Sequence, residues 1–228
     1  MMYPLSDFEL QLLHMKQLYL STERQFLEFN EIIPYTSNHP DNWNKIHSPM
    51  LVNIVLSACP QIEKMLKILS NELKLKPENE GKSIFDYLKP LDKKGLLKEQ
   101  FVGMSNLGNP NILLQPFLKD SNSKLEWWYG YNQIKHDIIE GVRFGTLKNT
   151  INALAGLSIL HHIAYALKTL KIGGSPINFD EEFLDSSKWR FDEEQGLFTE
   201  NGKVLPNEIP VFFSSKVFFF CTHRFTMV

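Results

Sequence analysis

Cysteine is scarce in this chain: Cys59 and Cys221 are the only two in 228 residues. Two cysteines build no disulfide framework, and no Cys-x-x-Cys pair offers a zinc spacing. A reducing, cytoplasmic setting is therefore the expectation. An excess of one charge is also lacking. Lys and Arg number 24 against 26 Asp and Glu, a formal charge of -2. This excludes a strongly basic nucleic-acid-binding chain, but not RNA contact through a local patch. No run of about 18 uncharged apolar residues occurs, so no membrane-spanning helix is expected. Residues 1–7 carry no basic stretch followed by an apolar run, so no signal peptide is expected. Neither Gly-x-x-x-x-Gly-Lys-Ser/Thr nor Gly-x-Ser-x-Gly is present, which leaves a P-loop or an α/β-hydrolase without support. Repeats and low-complexity tracts are absent as well.

What is present is helical periodicity. Hydrophobic residues make up 43% of the chain, enough for a sizeable core. Ser6-x-x-Glu9 reads as a capping box that opens a helix running to about Ile33, with Leu10, Leu13, Leu20 and Leu27 as a broken apolar stripe. Residues 35–49 read as a loop centred on Asn38-His39-Pro40-Asp41-Asn42. Val55, Cys59, Ile62, Leu66, Leu69 and Leu73 then follow a 4-3-4-3-4 spacing, the strongest helical signal in the chain. Pro60 interrupts it and is expected to kink or restart the helix. Residues 83–88 and 93–101 read as short helices, and residues 103–116 as a loop. Periodicity resumes over 125–139, with Trp127, Tyr131, Ile134 and Ile138 on one side. A break follows near Gly141–Gly145, then a helix over 146–171. Beyond Gly173 the pattern changes to short Phe- and Val-rich runs with a hairpin signal at Asn201-Gly202.

The expected fold is mainly α: an antiparallel bundle of four or five helices with a small C-terminal β appendage. The expected division is a helical unit over 1–172, its core at 48–171, and a β-containing segment over 173–228.

The densest chemistry lies in Trp127-Trp128-Tyr129-Gly130-Tyr131-Asn132-Gln133-Ile134-Lys135-His136-Asp137. Asn132 and His136 are four apart and share a helix face, about 40° apart around the axis. That stretch, the 55–73 helix with Glu63-Lys64 in its middle, and the following helix with Asn149 and Asn152-Ala153-Leu154-Ala155-Gly156-Leu157 together resemble the HEPN superfamily. These are small helical bundles of toxin–antitoxin, phage-defence and RNA-processing systems. The resemblance covers about half the chain, from 48 to 171.

Catalytic members of that superfamily carry Arg, then a polar residue, then a His four residues after the polar one. The resemblance thus implies a metal-independent endoribonuclease with His136 as general base and Asn132 at the phosphate. It also implies a homodimer with paired motifs near the interface, and RNA or a protein as partner. Tyr131 stands where the Arg belongs. A phenol donates one hydrogen bond but brings no charge. Lys135, four residues on, is the nearest substitute, as a point charge without a bidentate fork. A non-cleaving HEPN-like protein is therefore the favoured expectation, and the ribonuclease the alternative.

Each chemical reading has a plainer rival. Asn132, His136 and Asp137 would also suit a network that satisfies backbone groups at a helix end. Trp127, Trp128, Tyr129 and Tyr131 would stack on bases, but more readily anchor a bundle helix, since no Lys or Arg run is interleaved with them. Glu63 either orients His136 across the bundle or pairs with Lys67 on its own helix. His161-His162 with His136 would be a poor metal set, because adjacent histidines point about 100° apart. Neither a metal nor a cofactor is expected. The acidic groups at 180–182 and 192–194 lack a calcium-loop spacing and read as solvated loops.

Overall fold

A computed structural model describes residues 5–34, 39–93, 97–98, 100–104, 113–119, 124–172, 189–192, 197–200, 203–204, 215 and 217–221. The fold is mainly α, as expected. The helices are α1 (Asp7–Ile32), α2 (Pro49–Glu72), α3 (Ile84–Lys93), α4 (Glu126–His136), α5 (Ile138–Gly141) and α6 (Leu147–Ile172). Short 3-10 turns occur at Pro40–Asn42, Glu78–Gly81 and Val142–Phe144.

Local chemistry sets the helix starts. Ser6 accepts from the Glu9 amide while Glu9 accepts from the Ser6 amide, which completes the expected capping box. At α2, Ser48 Oγ accepts from the Leu51 amide and Pro49 sits in the first turn, where a missing N–H costs nothing. Pro60 does not restart α2, which is helical from Pro49 to Glu72. Its ring is exposed, on the side where water can satisfy the carbonyl it orphans.

The core lies between α2 and α6, with α1 and α4 packed against this pair. Leu51, Ile54, Val55, Ile62, Met65, Leu66 and Leu69 of α2 are fully buried. The α6 helix packed against α2 buries Leu147, Ile151, Leu154, Leu157 and Leu160. Each such side chain contributes about 1.5–3 kcal/mol when withdrawn from water.

The α1 stripe needs correcting. Leu10, Leu13 and Leu20 face solvent, at 51%, 48% and 36% exposure. The buried face is Leu12, Met15, Tyr19, Phe26 and Phe29. Two faces of α1 carry apolar residues, and the one holding three aromatic rings removes more area from water.

Two antiparallel sets of strands accompany the helices. β1 (Phe101–Met104) pairs with β2 (Leu113–Leu114) on one side and with β6 (Phe218–Cys221) on the other. The helix expected over 93–101 thus gives way to an extended end at Phe101, and the last strand reaches the bundle, where β6 touches α6. β3 (Trp189–Asp192), β4 (Leu197–Glu200) and β5 (Lys203–Val204) form the second set. The hairpin signal at Asn201-Gly202 lies outside the described residues, and so do the acidic residues 180–182 and 193–194. Glu200 pairs with Lys203.

Candidate functional site

The chemistry-rich segment forms α4 and the corner after it. Trp127 is buried, and its indole N–H donates to the Pro116 carbonyl at 2.7 Å. Its ring meets Phe117 at 6.3 Å and Trp128 at 5.9 Å, both edge-on. Gly130 lets α4 approach α6: a Cβ there would lie 2.7 Å from Asn149 Nδ2. Asn149 donates instead to the Phe144 carbonyl at 2.9 Å, which ties the 3-10 turn to α6.

Tyr131 is a core residue, 6% exposed, with its ring 4.9 Å from that of Trp128. Burial raises its phenol above the usual value, and the nearby Cys59 and Glu63 add to the shift. Lys135 is exposed, with its ammonium over the Tyr131 ring at 5.9 Å from the centroid. Asn132 is half-buried and His136 is exposed in the last turn of α4. Among the described residues no hydrogen bond joins Asn132 to His136.

Asp137 works as a cap. It ends α4, and its carboxylate accepts from the Ile139 and Glu140 amides, each at 3.0 Å, to start α5. The chain turns there, which is why Ile138 is 55% exposed rather than aligned with Trp127, Tyr131 and Ile134. Gly141 closes the corner. A Cβ on it would sit 2.5 Å from Ile134 Cα, so only glycine fits against the α4 backbone. Glu63 takes its plainer role and accepts from Lys67 Nζ at 2.6 Å on the α2 surface. That bond raises the Lys67 ammonium above its usual value.

His161 lies far from this chemistry in kind. It is fully buried on α6, its ring 5.2 Å from that of Tyr19 on α1. Burial lowers it to about 3, and nearby Lys16 acts in the same direction. His162 is lowered by burial to about 4. His161 is a neutral core imidazole and His162 a neutral, half-buried one, whereas His136 is on the surface.

Two groupings escaped the sequence reading. Tyr19 Oη lies 3.0 Å from both Glu23 Oε1 and Ser215 Oγ, with one proton to donate to either, and Ser215 donates to Glu23. Ser215 Oγ accepts from the Val217 and Phe218 amides, so this buried carboxylate anchors the approach to β6. No local spacing links residues nearly 200 positions apart. The other grouping is on the surface. Tyr129 is 41% exposed and carries Lys124 Nζ at 4.9 Å from its centroid. Its other neighbour is the Phe144 ring, edge-on at 5.8 Å, and the Arg143 guanidinium lies 5.1 Å from that ring. No Lys or Arg is interleaved with these aromatics along the chain, but Lys124 and Arg143 meet the Tyr129 and Phe144 rings in space.

Among the described residues, no helix is long and apolar enough to cross a membrane. Comparison with protein-family models, with curated proteins and with solved structures returned no match.

Proposed function

We propose that this chain is an HEPN-like binding protein that holds RNA without cleaving it, in a cytoplasmic stress-response or phage-defence role. The observation that carries this reading is Tyr131. At the position where the superfamily's catalytic members place Arg, this chain buries an uncharged phenol against Trp128. Phosphate charge that develops in a transition state then lacks the fixed bidentate cation that would stabilise it. Asp137 is committed to its cap and Glu63 to Lys67, so neither supports His136 as an orienting carboxylate.

One observation favours the alternative, a metal-independent endoribonuclease. His136 is exposed and has Lys135 beside it in sequence, so a base and a cation both reach solvent at the end of α4. In either reading the chain acts as a homodimer, with RNA or a protein as its partner.

The test is to incubate the pure protein and a His136→Ala variant with mixed RNA, following retention and cleavage together. Retention without cleavage is expected. Cleavage that disappears in the variant would establish the nuclease instead. Cleavage unchanged in the variant would show that the assigned base is wrong.

A further inference from the structure

Among the described residues, α1 leaves a whole stripe of leucines toward solvent. Leu10, Leu13 and Leu20 are exposed and Leu27 is half-buried. Their spacing is that of a coiled-coil seam: Leu13, Leu20 and Leu27 take the d positions of successive heptads, and Leu10, Gln17 and Arg24 the a positions. The six lie within about 100° of the helix circumference, on the side turned away from Tyr19 and Phe26. No other long helix offers such a seam. Helices α2 and α4 expose one large apolar residue each, Met50 and Tyr129, and the described side chains of α3 and α6 expose none.

A seam of this period packs best against a helix of the same period, and the matching surface is α1 of a second copy. Its exposed charges are mixed, with Asp7, Glu28 and Glu31 against Arg24, so it lacks the basic face that suits an anionic membrane. Charge also chooses between the ways two copies can pair. A parallel pairing sets Arg24 against the partner's Arg24, a like-charge contact within the seam. An antiparallel pairing of Leu10 with the partner's Leu27 sets Arg24 against the partner's Leu13, where the guanidinium leaves water with no carboxylate at that level. An antiparallel pairing of Leu10 with the partner's Leu20 brings Arg24 to the partner's Asp7 instead. Asp7 and Arg24 are both exposed, and among the described residues neither charged group has a partner. Two-fold symmetry makes this contact twice, once at each end of the leucines.

We propose that α1 pairs antiparallel with α1 of a second copy of this chain through Leu10, Leu13, Gln17 and Leu20, with Asp7 of each copy paired to Arg24 of the other. This rests on the homodimer in the reading above and names its surface, and it does not depend on RNA. The contact runs about 26 Å along the helix, at the small end of specific interfaces, so the dimer is weak, with a Kd on the order of 10 µM.

The test is sedimentation of the full chain over a series from about 1 to about 200 µM, across which the wild type is expected to pass from monomer to dimer. Leu13→Glu, at an exposed site, should weaken the dimer at least about tenfold without lowering the melting temperature. Arg24→Asp should weaken it about 5- to 30-fold, because two attractions become two repulsions. Adding Asp7→Arg to that variant should restore the wild-type Kd to within about threefold. Within one chain these two sites are about 26 Å apart, beyond the screening length of about 8–10 Å, so rescue reports contact between copies. Thermal melts accompany each variant, and if a charge-reversed chain melts early, Leu10→Gln tests the seam without touching the charge pair. If the chain dimerises and the Leu10 and Leu13 variants dimerise as well as the wild type, the α1 seam is wrong and the homodimer stands on another face. If Arg24→Asp weakens the dimer and the double variant does not recover, the antiparallel register is overturned. If the wild type stays monomeric throughout, the seam and the homodimer both fall.

Discussion

Acidification from about pH 7.5 to about pH 5.5 should weaken this fold through His161 and His162. Their folded values lie at about 3 and about 4, against an ordinary value of 6.5. Above 6.5 both rings are neutral whether the chain is folded or not, and they cost nothing. Below 6.5 the unfolded chain takes up protons that the buried rings refuse. Stability is lost as the pH falls through 6.5, and the loss continues down to the folded values. One unit below 6.5 the cost is about 1.4 kcal/mol for each ring, or about 3 kcal/mol for the pair. That is a large share of a typical stability of about 5–15 kcal/mol.

Burial raises the Asp92 carboxyl, which gains stability on acidification and so works against this loss. Glu9, Glu78 and Asp86 are held below their usual values by hydrogen bonds, from the Ser6 amide, Lys89 and the Ser83 amide respectively. Their support is present above the unfolded carboxylate range and fades only toward about pH 4. The assay is urea denaturation followed by tryptophan fluorescence at the two pH values. A His161→Phe variant keeps a ring against Tyr19 but cannot titrate, so it should lose about half of the wild-type pH dependence. Equal wild-type midpoints at both pH values, or a variant that falls as far as the wild type, would refute the reasoning.

The α4–α5 corner gives two further predictions. Gly141→Ala should destabilise the chain by about 1–3 kcal/mol, because the new methyl would meet Ile134 backbone that cannot move aside; an unchanged melting temperature would mean the corner is looser than the 2.5 Å approach implies. Asp137→Ala should cost about 1 kcal/mol by orphaning two amides, whereas Asp137→Asn should retain most of the stability. Chemical denaturation separates these outcomes, and equal losses in both Asp137 variants would point to a need for the charge rather than the cap.

Much of the helical frame is legible in the chain itself. The Ser6–Glu9 box, the 4-3-4-3-4 spacing around Ile62 and the apolar arc of α6 are local signals, and each is matched by a helix. These depend on contacts three or four residues apart, which sequence displays directly. Both faces of α1 carry apolar residues, and only a neighbouring helix decides between them. Ile138 leaves the line of Trp127, Tyr131 and Ile134 because Asp137 caps a new helix in the middle of an unbroken apolar period.

The candidate site divides along the same line. Sequence alone determines the Asn132–His136 spacing and the tyrosine at 131, since both are facts of position on one helix. Burial of Tyr131, the turning aside of Asp137 and Glu63, and the meeting of Lys124, Tyr129, Phe144 and Arg143 are tertiary outcomes. They depend on how closely α4 can approach α6 and on how sharply the chain turns at Gly141. Those distances are set by packing between elements, which no local period encodes.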